Sequence, residues 1–84
     1  MNRQEARCVW SRAHERLTCD PAVGQRYIAR EVKGALLGER TALINTIEPR
    51  VRASLRGKSG LQDAQVRRYW RCICHDSGDA VRNR

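Results

Sequence analysis

Apolar residues recur along this chain at steps of three and four, the period of a helix buried on one side. Ala6, Trp10, Ala13 and Leu17 fall on one face and predict a first helix over residues 2–17. Thr18-Cys19-Asp20-Pro21 closes it and opens the next. Asp20 suits the N-cap, and Pro21 the first helical position, where a missing N–H costs nothing. Tyr27, Ile28, Val32, Ala35 and Leu36 line a second amphipathic helix running to about Gly38.

A third stretch, 40–56, carries Leu43, Ile47, Val51 and Leu55 at a strict spacing of four. Pro49 lies within it and removes a bond to the Asn45 carbonyl, so a kink or a break into two shorter helices is expected there. Gly57-Lys58-Ser59-Gly60 reads as the clearest turn, with Gly57 suited to a left-handed cap. Ser59 and Gln62 have the spacing of a capping box for a last helix, about 61–74. That helix places Val66, Tyr69, Trp70 and Ile73 inward and Arg67, Arg68 and Arg71 outward. Asp76-Ser77-Gly78-Asp79 should stop it, leaving residues 76–84 as a frayed tail. No strand alternation or internal repeat interrupts the pattern. The expectation is an all-α fold, a small bundle of four to five short helices in a single domain, 1–84.

At 84 residues, with no Phe and only four Trp and Tyr residues, the core is thin, and formation of a homodimer would supplement it. No apolar run approaches the roughly 20 residues that span a bilayer, so no membrane partner is expected. The start, Met1-Asn2-Arg3-Gln4-Glu5, lacks the apolar stretch of a secretory signal, which predicts a cytoplasmic chain. In that compartment Cys8, Cys19, Cys72 and Cys74 are expected to remain thiols, buried by default.

Charge sharpens the picture. From Arg50 to Arg71 seven basic residues face one acid, Asp63, so this window carries +6 of the chain's +8. A stripe of this kind fits a surface that meets phosphate or another polyanion. Nearly all the basic residues are arginines, whose planar fork matches phosphates and guanine edges. The bland alternative is that they solvate the outer faces of two helices.

The best chemical candidate is a helix-turn-helix-like element at 46–74. Ala53 and Gly57 have the spacing of the small residue and turn glycine of such motifs. Gln62, Gln65, Arg67, Arg68 and Arg71 would face nucleic acid, with Gln suited to adenine and Arg to guanine or phosphate. Arg50, Arg52, Arg56 and Lys58 would anchor the backbone. Against a compact form of the motif, the turn runs about three residues longer, because the expected apolar position falls on Asp63. The position before the glycine is Arg56 where an apolar residue is usual.

Other constellations carry less. Arg3, Arg7, Arg12 and Arg16 could enter an RNA groove, but Glu5, Glu15 and Asp20 nearly neutralise them and Trp10 fits the buried stripe. Cys72-Ile73-Cys74-His75 invites a zinc reading. Residues two apart on a helix point nearly oppositely, however, so no metal site and no cofactor are expected. Gly34 and Gly38, four apart, permit close helix contact. No nucleophile–base pair or carboxylate pair stands out, and no catalytic residue is expected.

These readings converge on a small basic nucleic-acid-binding protein, DNA or RNA being the partner, with a DNA-binding transcriptional regulator as the leading form. The size and arginine bias are also in keeping with small phage or mobile-element proteins. The rival is therefore a protein that docks on a host protein complex and inhibits or redirects it, as anti-defence or anti-CRISPR inhibitors do. Its contact could lie anywhere on the surface, including the face bearing Arg26, Arg30 and Lys33.

Overall fold

A computed structural model describes residues 2–57 and 60–76. Four helices account for nearly all of them: α1 (Arg3–Cys19), α2 (Pro21–Gly34), α3 (Leu37–Gly57) and α4 (Asp63–Asp76). The described residues are all-α, in four helices rather than five, because α3 continues unbroken through Pro49. Asn45 and Pro49 are both exposed. The carbonyl that loses its donor therefore lies on the solvent side, where water can replace the bond.

Each start has a local cause. Asn2 and Glu5 form a reciprocal capping box on α1, with bonds of 2.8 and 3.0 Å. Asp20 caps α2 by accepting from the Ala22 N–H, and Pro21 follows it, as the sequence pattern predicts. Gln62 precedes α4, and its N–H donates to the Gln65 side-chain oxygen at 2.8 Å. The α4 cap thus uses Gln62 and Gln65, while Ser59 lies outside the described residues. The left-handed residue of this turn is Gly60 (φ 64°), whereas Gly57 is still helical. Beyond it, the Leu61 N–H reaches back to the Leu55 carbonyl at 3.0 Å. At its other end α4 runs to Asp76, two residues past the expected end; the expected fraying of 77–84 falls outside the described residues.

The core gathers one stripe from each helix. Leu17, Ile28, Val32, Leu43, Ile47, Val51, Leu55, Val66 and Ile73 are fully enclosed, and Tyr69 and Trp70 nearly so. The stripes of α3 and α4 match the sequence periodicity residue for residue. On α1 the buried set is Ala6, Val9, Ala13 and Leu17. Val9 replaces Trp10, whose larger ring sits half-buried at the rim beside His14, with centroids 5.3 Å apart. On α2 the stripe ends early. Ala35 turns extended (ψ 148°) and ends the helix at Gly34, leaving Leu36 outside the helical register and 70% exposed.

Packing follows a ring. α1 packs on α2 and α3, α4 packs chiefly on α2 and more lightly on α3, and α1 and α4 do not touch among the described residues. The α1–α2 contact is the closest one at a glycine. A Cβ placed on Gly24 would lie 2.7 Å from the Leu17 Cα. Gly34 and Gly38, the pair expected to admit close contact, have open space around them. At the α2–α3 corner, Arg40 reaches back to the Ala35 and Lys33 carbonyls, at 3.0 Å each. It satisfies acceptors left open at the end of α2 and places positive charge at the negative end of that helix.

Candidate nucleic-acid interface

α4 presents the arginines of its outer face because its inner face is occupied. Residues advance by about 100° per step around a helix, so Val66, Tyr69, Trp70 and Ile73 turned inward leave Arg67, Arg68 and Arg71 outward. All three are exposed, and none makes a hydrogen bond or ion pair among the described residues. They occupy an arc of about 100°. Tyr69 and Asp63 orient that arc. The Tyr69 hydroxyl donates to the Pro21 carbonyl at 2.6 Å, tying the middle of α4 to the start of α2. The Asp63 carboxylate accepts from Arg56 Nε at 2.9 Å, tying the start of α4 to the end of α3. Burial pushes the Tyr69 hydroxyl well above its ordinary pKa of 10.0, and the negative charge of Asp20 adds to the shift.

The remaining sequence-predicted contacts are divided among other tasks. Arg52 is half-buried and gives Nε and Nη2 to one Glu48 oxygen at 3.0 and 2.8 Å, so its charge is already matched. Arg56 is matched by Asp63; the pair is exposed, so it aligns the two helices more than it stabilises them. Arg50 donates to the Thr46 carbonyl one turn back, at 2.7 Å, and keeps its net charge. Gln65 is held as a cap, which leaves Gln62 as the exposed amide of the predicted base-reading pair with no side-chain bond of its own. Lys58 lies outside the described residues.

The structure thus brings Arg67, Arg68 and Arg71 together and does not bring Arg52 and Arg56 to them as free cations. Five residues, 58–62, separate α3 from α4. The main support of α4 is α2, a helix outside the segment assigned to the motif from sequence.

The capping role of Arg40 escaped the sequence reading. A second cationic face, which the sequence offers only as one possible protein contact, lies on α2. There Arg26, Arg30 and Lys33 surround an open depression with Ala29 at its floor. Spacings of four and three are the signal for it, and near-neutrality of residues 21–49 as a whole conceals it.

None of the four cysteines forms a disulfide, and the expectation that all four are buried is corrected: Cys8 and Cys19 are exposed, Cys72 and Cys74 half-buried. The polar face of α1 outweighs its narrow apolar stripe and carries Cys8 and Cys19 into solvent. Among the described residues no group of three His, Cys, Asp or Glu side chains is placed to hold a metal ion. Among the described residues no helix is long and apolar enough to cross a membrane. No protein-family model matches the chain, and no curated protein or solved structure is detectably similar to it.

Proposed function

We propose that the protein binds nucleic acid by seating α4 on the sugar–phosphate backbone of a duplex, with regulation of transcription as the leading biological form. The observation that carries this reading is the outer arc of α4. Arg67, Arg68 and Arg71 are exposed together, while the acid nearest in sequence, Asp63, is engaged by Arg56. Three unmatched guanidiniums on one helix offer charge-assisted bonds to phosphate oxygens.

In this form the contact is chiefly electrostatic. Phosphate contacts position a protein and base contacts specify sequence, and capping by Gln65 removes one of the two amides available for base reading. Arg50 extends the surface along α3. A helix-turn-helix version keeps α3 as the first helix and α4 as the second, with the longer 58–62 connection between them.

The test is fluorescence anisotropy with a labelled duplex across roughly 50 to 200 mM salt. Affinity should fall linearly with salt on logarithmic axes. Neutralising Arg67, Arg68 and Arg71 to Gln should reduce the slope by about 2.7, from about 0.9 per phosphate. Salt-insensitive binding, or none, refutes the reading.

A second reading, docking on a protein complex, draws on a different observation. Leu36 and Leu37 are 70% and 78% exposed at the α2–α3 corner, and apolar side chains in such a place suit a protein contact. A pull-down from lysate with and without nuclease separates the two. A nucleic-acid partner vanishes with nuclease; a directly bound protein stays and is lost on Leu36→Ser/Leu37→Ser.

A further inference from the structure

A group of cations outside the basic window lies on α2. Arg26, Arg30 and Lys33 are spaced i, i+4 and i+7, which places them in an arc of about 60° along about 10 Å of helix. All three are exposed, and none of their side chains has a hydrogen-bond or ion-pair partner among the described residues; the Lys33 carbonyl accepts from Arg40. They line one open depression whose floor is Ala29, only 4% exposed. The small floor residue keeps the space between the three side chains open. Between Pro21 and Gly34 the single acid is Glu31. Its position is about 100° around the helix from Arg30.

The neighbours of α2 decide what this face can do. Gly24 and Tyr27 look toward α1: Gly24 abuts Leu17, and the Tyr27 ring lies under the Arg16 guanidinium at 4.2 Å. α4 also packs on α2 and is tied to its start by the bond from the Tyr69 hydroxyl to the Pro21 carbonyl. Arg68 lies one step of about 100° from Tyr69, at the α2 side of α4's outer arc. The two cationic faces therefore belong to helices that pack on one another.

We propose that Arg26, Arg30 and Lys33 form a second phosphate-contacting surface. The protein then grips a nucleic-acid backbone with two adjacent helices, α2 and α4. This rests on the nucleic-acid reading above and extends it to a helix outside the segment that suggested it. The spacing suits the ligand. Each strand of a duplex presents a charge about every 3.4 Å of axis, so a row of cations about 10 Å long runs alongside about four successive phosphates. Arginine offers its fork to the phosphate oxygens, and lysine adds a point charge at the end of the row.

The test compares the full chain with three variants on a labelled duplex of roughly 20 base pairs, by the salt dependence of affinity. One variant is Arg26→Gln/Arg30→Gln/Lys33→Gln. The second is Arg67→Gln/Arg68→Gln/Arg71→Gln. The third, Arg7→Gln/Arg12→Gln, removes exposed charge from α1, which does not touch α4. All these residues are exposed, and unchanged circular dichroism and Tm establish that each variant folds.

The α2 variant should lower the salt slope by about 2.7, as the α4 variant does, and the α1 variant should leave it unchanged. An unchanged slope in the α2 variant, with the α4 variant impaired, overturns the α2 surface and leaves the nucleic-acid reading standing. Loss per charge as large in the α1 variant also overturns it, because a diffuse field then explains the binding. If the unmodified chain shows no salt-dependent duplex binding, the parent reading falls and takes this one with it. Poly-glutamate of matched length binding as tightly as the duplex overturns the phosphate assignment in favour of an acidic protein surface.

Discussion

Replacing Gly24 with alanine should destabilise this protein, against the usual benefit of alanine in a helix. Gly24 lies inside α2 and is buried. The added Cβ would stand 2.7 Å from the Leu17 Cα and 2.9 Å from the Leu17 backbone nitrogen. Carbon atoms in good contact sit about 3.5–4.0 Å apart, so α1 and α2 would have to separate by about 1 Å at this point. Backbone cannot rotate away as a long side chain can. The strain therefore passes to Leu17 and Ile28, which are fully enclosed on either side of the contact.

Overpacking of this kind costs about 3 kcal/mol, and relief of glycine's helix penalty returns about 1 kcal/mol. A net loss of about 2 kcal/mol follows, or a Tm lower by about 8–16 °C for a domain of this size. The assay is urea unfolding followed by circular dichroism, with Gly34→Ala as the paired control. Gly34 is helical, and a Cβ there would meet nothing within 4 Å, so its alanine variant should be neutral or up to about 1 kcal/mol more stable. If Gly24→Ala is as stable as the unmodified chain, the close α1–α2 approach is wrong.

Two further outcomes test the remainder of the frame. Tyr69→Phe removes the donor to the Pro21 carbonyl and should cost about 1 kcal/mol near neutral pH. The folded Tyr69 pKa is raised above the unfolded value of 10.0, so its contribution is complete below that value and declines as pH rises beyond it. The stability difference between the unmodified chain and Tyr69→Phe should therefore shrink above pH 10 in chemical-denaturation curves; a difference constant through that range refutes the buried hydroxyl. For the thiols, Cys8 and Cys19 are exposed and Cys72 and Cys74 half-buried, so a thiol reagent should label the first two quickly and the second two slowly, read site by site by mass spectrometry. Eleven residues of helix separate Cys8 from Cys19, about 16 Å of rise, so no bridge between them should form within one molecule on mild oxidation.

The sequence by itself determined the elements and their inner faces. Leu43, Ile47, Val51 and Leu55, and likewise Val66, Tyr69, Trp70 and Ile73, are recognisable from spacing alone. Helical periodicity is a local property, and burial follows it in α3 and α4, whereas in α1 the stripe takes Val9 in place of Trp10. Asp20-Pro21 was equally legible, because a cap and a first-turn proline act within one turn. The reading failed where regularity ended. Ala35 leaves the helical conformation, so Leu36 lost its place in the stripe, and Gly60 took the left-handed position expected of Gly57.

Beyond the pair along one helix, Arg52 with Glu48 at i, i+4, the arrangement of the helices decided which charges are free. A tally of charge along 50–71 makes no distinction between Arg52, held by Glu48, Arg56, held by Asp63, and Arg67, Arg68 and Arg71, held by nothing among the described residues. Some of these pairings join different helices and others lie along one, so availability depends on geometry that composition does not carry. The same holds for Arg26, Arg30 and Lys33. Their segment is nearly neutral in sequence, yet they share one side of α2 with α4 packed beside it. Summed charge is a property of the chain; a cationic surface is a property of how its helices are arranged.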